Sequence, residues 1–263
     1  MAAEDYTPEE FNREHERIMR DLLTAYAPHL PEKPQAYLLG GQSGAGKTTL
    51  HKMIRQRTPG GIISINGDDY RKKHPRFLEL QRLHGDKAVD YTAPWAGRMT
   101  EALVEALSAI GYNLIIEGTL RTAEVPLKTA MLLRERGYGV SLALMAVKPD
   151  ISLVSCQLRY EEMRIAGTTP RATDPAHHKK IVDQIVSNLR TLEESQQFEE
   201  IYLYTRAQRC LYPREGYGGT ASDTLKEALF GPWTEEERRH YEHLKAKLLA
   251  LQAREAPESL RVR

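Results

Sequence analysis

Gly41-Gln42-Ser43-Gly44-Ala45-Gly46-Lys47-Thr48 constrains this chain more than any other stretch. It fits the pattern G-x-x-x-x-G-K-[ST], and it lies between an apolar run ending at Gly40 and a helix-patterned stretch that follows. In that context the glycines turn successive backbone N–H groups inward on a phosphate, and the helix N-terminus reinforces them. Lys47 is spaced to bridge β- and γ-phosphates, and the Thr48 hydroxyl to hold a metal. The expected ligands are a nucleoside triphosphate such as ATP and Mg²⁺, bound by Gly41, Gln42, Ser43, Gly44, Ala45, Gly46, Lys47, Thr48 and Thr49. Gln42 and Ser43 are expected to lend backbone donors and no chemistry of their own.

The remainder of the chain reads as an α/β fold. Short apolar runs at Ala36 to Gly40, Ile62 to Asn66, Asn113 to Glu117, Val140 to Val147 and Ile201 to Tyr204 predict strands. Several are apolar throughout, as parallel strands covered on both faces must be. Helical spacing fills 47–57, 97–110, 123–137, 150–166 and 175–195. The expected architecture is a P-loop kinase-like parallel sheet of about five strands with helices on both faces and flanking N- and C-terminal helices. One domain is expected over 1–263, with an N-terminal helix and linker at 1–35, the kinase core at 36–206, and a C-terminal loop and helix at 207–263. Thr7-Pro8-Glu9-Glu10 predicts the first helix start, and Thr234 the last.

Composition excludes several classes. Lys and Arg total 37 against 36 for Asp and Glu, so no net field draws nucleic acid or anionic lipid. The acidic start Met1-Ala2-Ala3-Glu4-Asp5 is unlike a secretory leader, and no run approaches the ~20 apolar residues of a membrane span. A cytoplasmic protein is expected. Cys156 and Cys210 form no paired motif, which leaves no disulfide framework or zinc cluster.

Ligands of an open parallel sheet bind beyond the carboxyl ends of its strands. Two such ends carry acids: Asn66-Gly67-Asp68-Asp69 and Glu117-Gly118-Thr119. A carboxylate there can orient an acceptor hydroxyl and take its proton, a role open to Asp68 or Asp69. Glu117 fits a metal-side or a substrate-side role equally. Phosphoryl transfer also needs cations around the γ-phosphate, and Arg159 and Arg171 flank a stretch that resembles a lid. Arg164 fits a solvated helix face, and Arg71-Lys72-Lys73-His74 a solvated basic loop.

With these residues assembled, the chain resembles the zeta toxin family of bacterial toxin–antitoxin systems. The likeness runs through Leu39 to Thr48, Gly67-Asp68 with His74-Pro75, Arg98 to Glu101, Glu117 to Thr122, Met145 to Val147, Arg159 to Glu161 and Arg171 to Thr173. It departs at Asn66, where relatives tend to carry an acid, and at Asp69, where they carry a small hydroxyl residue. The resemblance implies a kinase that phosphorylates the 3′-hydroxyl of UDP-N-acetylglucosamine and blocks peptidoglycan synthesis. It implies Asp68 as base, Lys47 and Thr48 on nucleotide and metal, and Arg159 with Arg171 on the transferring phosphoryl. It further implies Glu101, Glu117, Thr119 and Arg121 as the acceptor pocket, and a small helical antitoxin as partner. Rival expectations keep the kinase but change the acceptor to a nucleoside, NAD or an antibiotic, or make the chain a regulatory NTP-binding module.

Overall fold

The computed structural model describes residues 5–26, 30–58, 60–168, 170, 172–216 and 218–254. In chain order it runs α1 (Pro8–Ala25), β1 (Gln35–Gly40), α2 (Thr48–Arg57), β2 (Ile63–Asn66), α3 (Gly67–Tyr70), α4 (Phe77–His84), α5 (Ala88–Tyr91) and α6 (Ala93–Ile110). Then come β3 (Leu114–Glu117), α7 (Glu124–Glu135), β4 (Gly139–Met145), α8 (Pro149–Ile165), α9 (Pro175–Glu194), β5 (Glu200–Tyr204), β6 (Cys210–Tyr212), α10 (Ala221–Phe230) and α11 (Glu235–Gln252).

The strands form one sheet in the order β2-β3-β1-β4-β5-β6. The first five are parallel, and β6 runs antiparallel to β5. Because successive strand residues point to opposite faces, each strand feeds two cores. Leu38, Ile65, Ile116 and Leu142 pack with helix residues such as Leu103, Leu107 and Leu189 on one side. Leu39, Ile115, Ala143 and Met145 pack with Leu50, Val154 and Leu158 on the other. Burial on both faces explains why these strands are apolar throughout rather than alternating.

β1 lies between β3 and β4, so the chain leaves it toward one side of the sheet and later crosses to the other. Leu39 pairs with Glu117, and Glu117 in turn with Asn66, which brings three strand ends level beside the phosphate loop. That is the crevice where an open α/β sheet binds its ligands.

The helix starts follow their caps. The Thr7 side chain accepts from the Glu10 N–H while Glu10 accepts from Thr7, a capping box; Thr234 and Glu237 repeat it at α11. α1 buries Phe11 and Ile18, and Phe11 meets Trp95 of α6 edge-on at 5.4 Å. His74 packs against the same tryptophan and is buried, so the expected solvated basic loop is corrected there. On α11, Leu244 and Leu248 pack into the α8 side of the sheet, so this seam closes on its own chain.

The fold has more elements than the sequence pattern predicts. α3, α4 and α5 fill the stretch before α6, and β6 and α10 stand where only a C-terminal loop and helix were expected. These pieces span three to ten residues, too short for a hydrophobic period to separate from its neighbours. α6 also begins at Ala93 rather than 97.

Candidate active site

The phosphate loop bridges β1 and α2. Gly44 and Gly46 have φ of +75° and +96°, conformations that L side chains rarely adopt. A Cβ on Gly44 would also overlap the Ser152 carbonyl oxygen and the Cys156 sulfur. Two side chains tie the loop to distant parts of the chain. Gln42 is fully buried, and its amide donates to the Val147 carbonyl at 2.8 Å and to Ser152 Oγ at 3.1 Å. Ser152 Oγ in turn lies 2.9 Å from His178 Nε2. Gln42 therefore anchors the loop to α8, a correction to the reading that gave it only a backbone role.

Arg206, just past β5, grips the other side. Its guanidinium donates to the carbonyls of Gly44 and Ala45 and, at 2.9 Å, to Ser155 Oγ, while Nη1 lies 3.4 Å from His240 of α11. Sequence reasoning missed Arg206, because nothing near it marks a residue that folds back across 161 positions onto the loop.

A cavity of about 390 Å³ opens here, lined by Gly44, Gly46, Lys47, Thr48, Thr49, Glu117, Ser155, Arg159 and Arg206. Lys47 Nζ donates to the Gly41 carbonyl at 2.9 Å and lies 3.9 Å from Glu117 Oε1. Burial pulls the lysine below its ordinary pKa, against the pull of Glu117 and Asp68. A phosphate at this position would supply a closer countercharge than Glu117 does, so the cradle and the desolvated ammonium fit a nucleoside triphosphate. Thr48, at the first turn of α2, is exposed to the cavity and can offer its hydroxyl to a metal bound with that nucleotide.

Glu117 ends β3 within the cavity. Burial pushes its carboxyl up, but the His51 hydrogen bond and the Lys47 charge outweigh burial and hold it below its ordinary value. His51 Nε2 lies 2.8 Å from Glu117 Oε2, a partner that sequence reasoning also missed.

The other strand-end acid is more open. The Asn66 side chain accepts from the Asp68 N–H at 3.1 Å and so caps α3. Arg71 Nε holds Asp68 Oδ1 at 2.9 Å, with the Asp68 side chain 44% exposed. Asp69 is exposed next to it, and its charge helps burial push Tyr70 up to about 12.

Thr119 and Arg121 flank Leu120, which is buried despite a φ of +56°. The Asn188 side chain donates to the Leu120 carbonyl at 2.8 Å. This pinned left-handed residue sets its two polar neighbours on a loop beside Glu117. Glu101 and Arg121 are exposed, on α6 and after β3 respectively. Arg159 is exposed on α8 and lines the cavity, and Arg171 lies outside the described residues. Arg164 pairs with Glu161 at 2.5 Å and, half-buried, donates to the carbonyls of Leu251 and Arg254 at the end of α11, so it ties α8 to α11 rather than lying on a solvated face.

The sequence model of the zeta toxin family matches residues 20–216. The chain belongs to the zeta toxin family. It is 46% identical over 239 residues to Toxin PezT of Streptococcus pneumoniae serotype 4, covering 90% of this chain and 94% of that protein. It is 38% identical to Toxin zeta of Enterococcus hirae, covering 86% and 80%. Among solved structures, a chain from the PezAT chromosomal toxin–antitoxin system of Streptococcus pneumoniae matches with a TM-score of 0.86 and 42% identity, covering 97% of this chain and 100% of that one. The crystal structure of AvrRxo1-ORF1:-ORF2 with ATP matches at a TM-score of 0.52 and 15% identity, covering 96% and 92%, a likeness of fold alone. This zeta-type toxin has the α/β fold and the phosphate loop of a kinase.

Proposed function

We propose that this zeta toxin transfers the γ-phosphoryl group of ATP to the 3′-hydroxyl of UDP-N-acetylglucosamine, and so blocks peptidoglycan synthesis. The observation that carries the reading is the meeting of Lys47 and Glu117, 3.9 Å apart at the mouth of the phosphate loop, with the charge of Asp68 also reaching Lys47. An acceptor hydroxyl in that crevice has a phosphate cradle on one side and a carboxylate on the other.

In this reading Asp68 takes the proton of the 3′-hydroxyl as its oxygen forms the bond to the γ-phosphorus. The bond from that phosphorus to the β–γ bridging oxygen breaks, and ADP leaves. Lys47 holds the β- and γ-phosphates throughout, while Arg159 and Arg171 offset the charge that gathers on the transferring group. A Mg²⁺ held by the Thr48 hydroxyl would neutralise phosphate charge when bound. Glu101, Glu117, Thr119 and Arg121 orient the acceptor's hydroxyls and diphosphate. The whole of 1–263 acts as one kinase domain in the cytoplasm, restrained by a small helical antitoxin, in line with the toxin–antitoxin system of its 42% identical structural relative.

The test incubates purified protein with ATP, Mg²⁺ and separate acceptors: UDP-N-acetylglucosamine, UDP-glucose, a nucleoside, NAD and an aminoglycoside. A gain of one phosphate on the amino sugar of UDP-N-acetylglucosamine, read by mass, is expected. Phosphorylation of NAD or a nucleoside alone would keep the kinase and reject the cell-wall acceptor. ATP hydrolysis with no phosphorylated acceptor would favour a regulatory NTP-binding module.

A further inference from the structure

Glu117 poses a problem for a phosphate loop. A carboxylate beside the P-loop lysine is a rival anion: swung fully onto the ammonium, it would hold Lys47 away from the nucleotide. In the structure it stays 3.9 Å from the lysine, and a second partner lies one helical turn further along α2. His51 is four residues after Lys47, so both side chains leave the same face of the helix and bracket one carboxylate. His51 Nε2 lies 2.8 Å from Oε2, whereas Lys47 Nζ lies 3.9 Å from Oε1.

The histidine is itself held. His51 Nδ1 lies 3.3 Å from Ser64 Oγ on β2, and Arg55 Nη2 donates to that same oxygen at 2.8 Å. The direction of each link follows from donor chemistry. A guanidinium only donates, so Ser64 Oγ accepts from Arg55 and has its own proton to give to Nδ1. An ionised carboxylate only accepts, so Nε2 carries the proton that meets Glu117. With a neutral imidazole, Arg55, Ser64, His51 and Glu117 form a one-way chain in which the Nε2–H tautomer satisfies every link.

We propose that His51 is a positioning residue that restrains Glu117 from closing on Lys47, and so keeps the lysine available to the nucleotide phosphates. The inference rests only on nucleotide binding at the phosphate loop, not on the identity of the acceptor. It assigns a role to three residues, His51, Ser64 and Arg55, that the proposed transfer does not otherwise use.

The test measures Mg²⁺–ATP affinity by calorimetry, without acceptor, on the full chain. His51→Ala should weaken binding on the order of tenfold, as losing an outer hydrogen bond to a site residue commonly does. His51→Gln, which keeps a donor near Nε2, should restore most of it. The deciding variant is His51→Ala combined with Glu117→Gln: with the rival anion neutralised, affinity should return to within about twofold of the parent. A merely structural role for His51 would leave that double variant as weak as the single one. If His51→Ala does not fold, Ser64→Ala cuts the chain one link earlier, and its smaller loss should likewise be rescued by Glu117→Gln. Unchanged affinity in the folded His51 or Ser64 variants, or no rescue by Glu117→Gln, would overturn the proposal. Failure of the parent protein to phosphorylate a UDP-sugar would instead reject the acceptor reading and leave these binding results standing.

Discussion

The two sides of the crevice are built differently. On the nucleotide side the loop is held by partners far away in sequence: Gln42 by Val147 and Ser152, and the loop carbonyls by Arg206. On the side proposed for the acceptor, Asp68, Glu101 and Arg121 are exposed, and α3, the element presenting Asp68, is four residues long. A triphosphate presents the same geometry to every P-loop, so its cradle can be set rigidly in advance. The UDP-sugar acceptor proposed above would have to be admitted and released, which favours short helices and exposed side chains.

Substitutions on the two sides should therefore fail in different ways. Lys47→Ala should have the largest effect, with phosphoryl transfer and toxicity both lost. Its fold should survive: folding depresses the Lys47 pKa, so the charged lysine opposes folding at all pH values below its ordinary titration, and removing it should not lower the melting temperature. Calorimetry of unfolding checks that sign, and a marked drop would recast Lys47 as a structural cation.

Arg159→Ala should come next. It lines the cavity without gripping the loop, so kcat should fall about 10²- to 10³-fold with little change in nucleotide affinity. Loss of affinity alone would move Arg159 into the ground-state cradle. Arg206→Ala should do the reverse, weakening nucleotide binding about tenfold through a slack loop while the rate at saturation stays near the parent's. A kcat effect without a binding effect there would break the division between the two sides. Arg121→Ala should be mildest, raising the acceptor KM a few-fold, about 1 kcal/mol, because its side chain is exposed. Steady-state kinetics with the acceptor varied would show it.

What could be read from the sequence follows the same line. The phosphate loop, the five parallel strands and the strand-end acids carry their signals within a few residues: glycines, a lysine, apolar runs, a turn. Gln42 was visible, but its burial beneath α8 was not, since it depends on Val147 and Ser152 more than 100 positions away. Arg206 and His51 have no motif at all; the sheet brings Arg206 back onto the loop, and one turn of α2 sets His51 against Glu117. α3 to α5 and β6 escaped because their lengths are below the span over which periodicity can be recognised. The α11 seam was legible as an apolar stripe, yet only the fold decided that α8 covers it.

In the proposed reaction an acid at the end of β2 drives transfer without taking part in nucleotide binding. The most direct measurement is the single-turnover rate of γ-phosphoryl transfer to UDP-N-acetylglucosamine in Asp68→Asn and Asp69→Asn, with Mg²⁺–ATP affinity titrated in parallel. Asp68→Asn should bind nucleotide as the parent does and transfer about 10²- to 10⁴-fold more slowly, the range of general-base catalysis, while Asp69→Asn stays close to the parent. A full transfer rate in Asp68→Asn, or the large loss falling on Asp69→Asn instead, would contradict the assignment of Asp68 as the base.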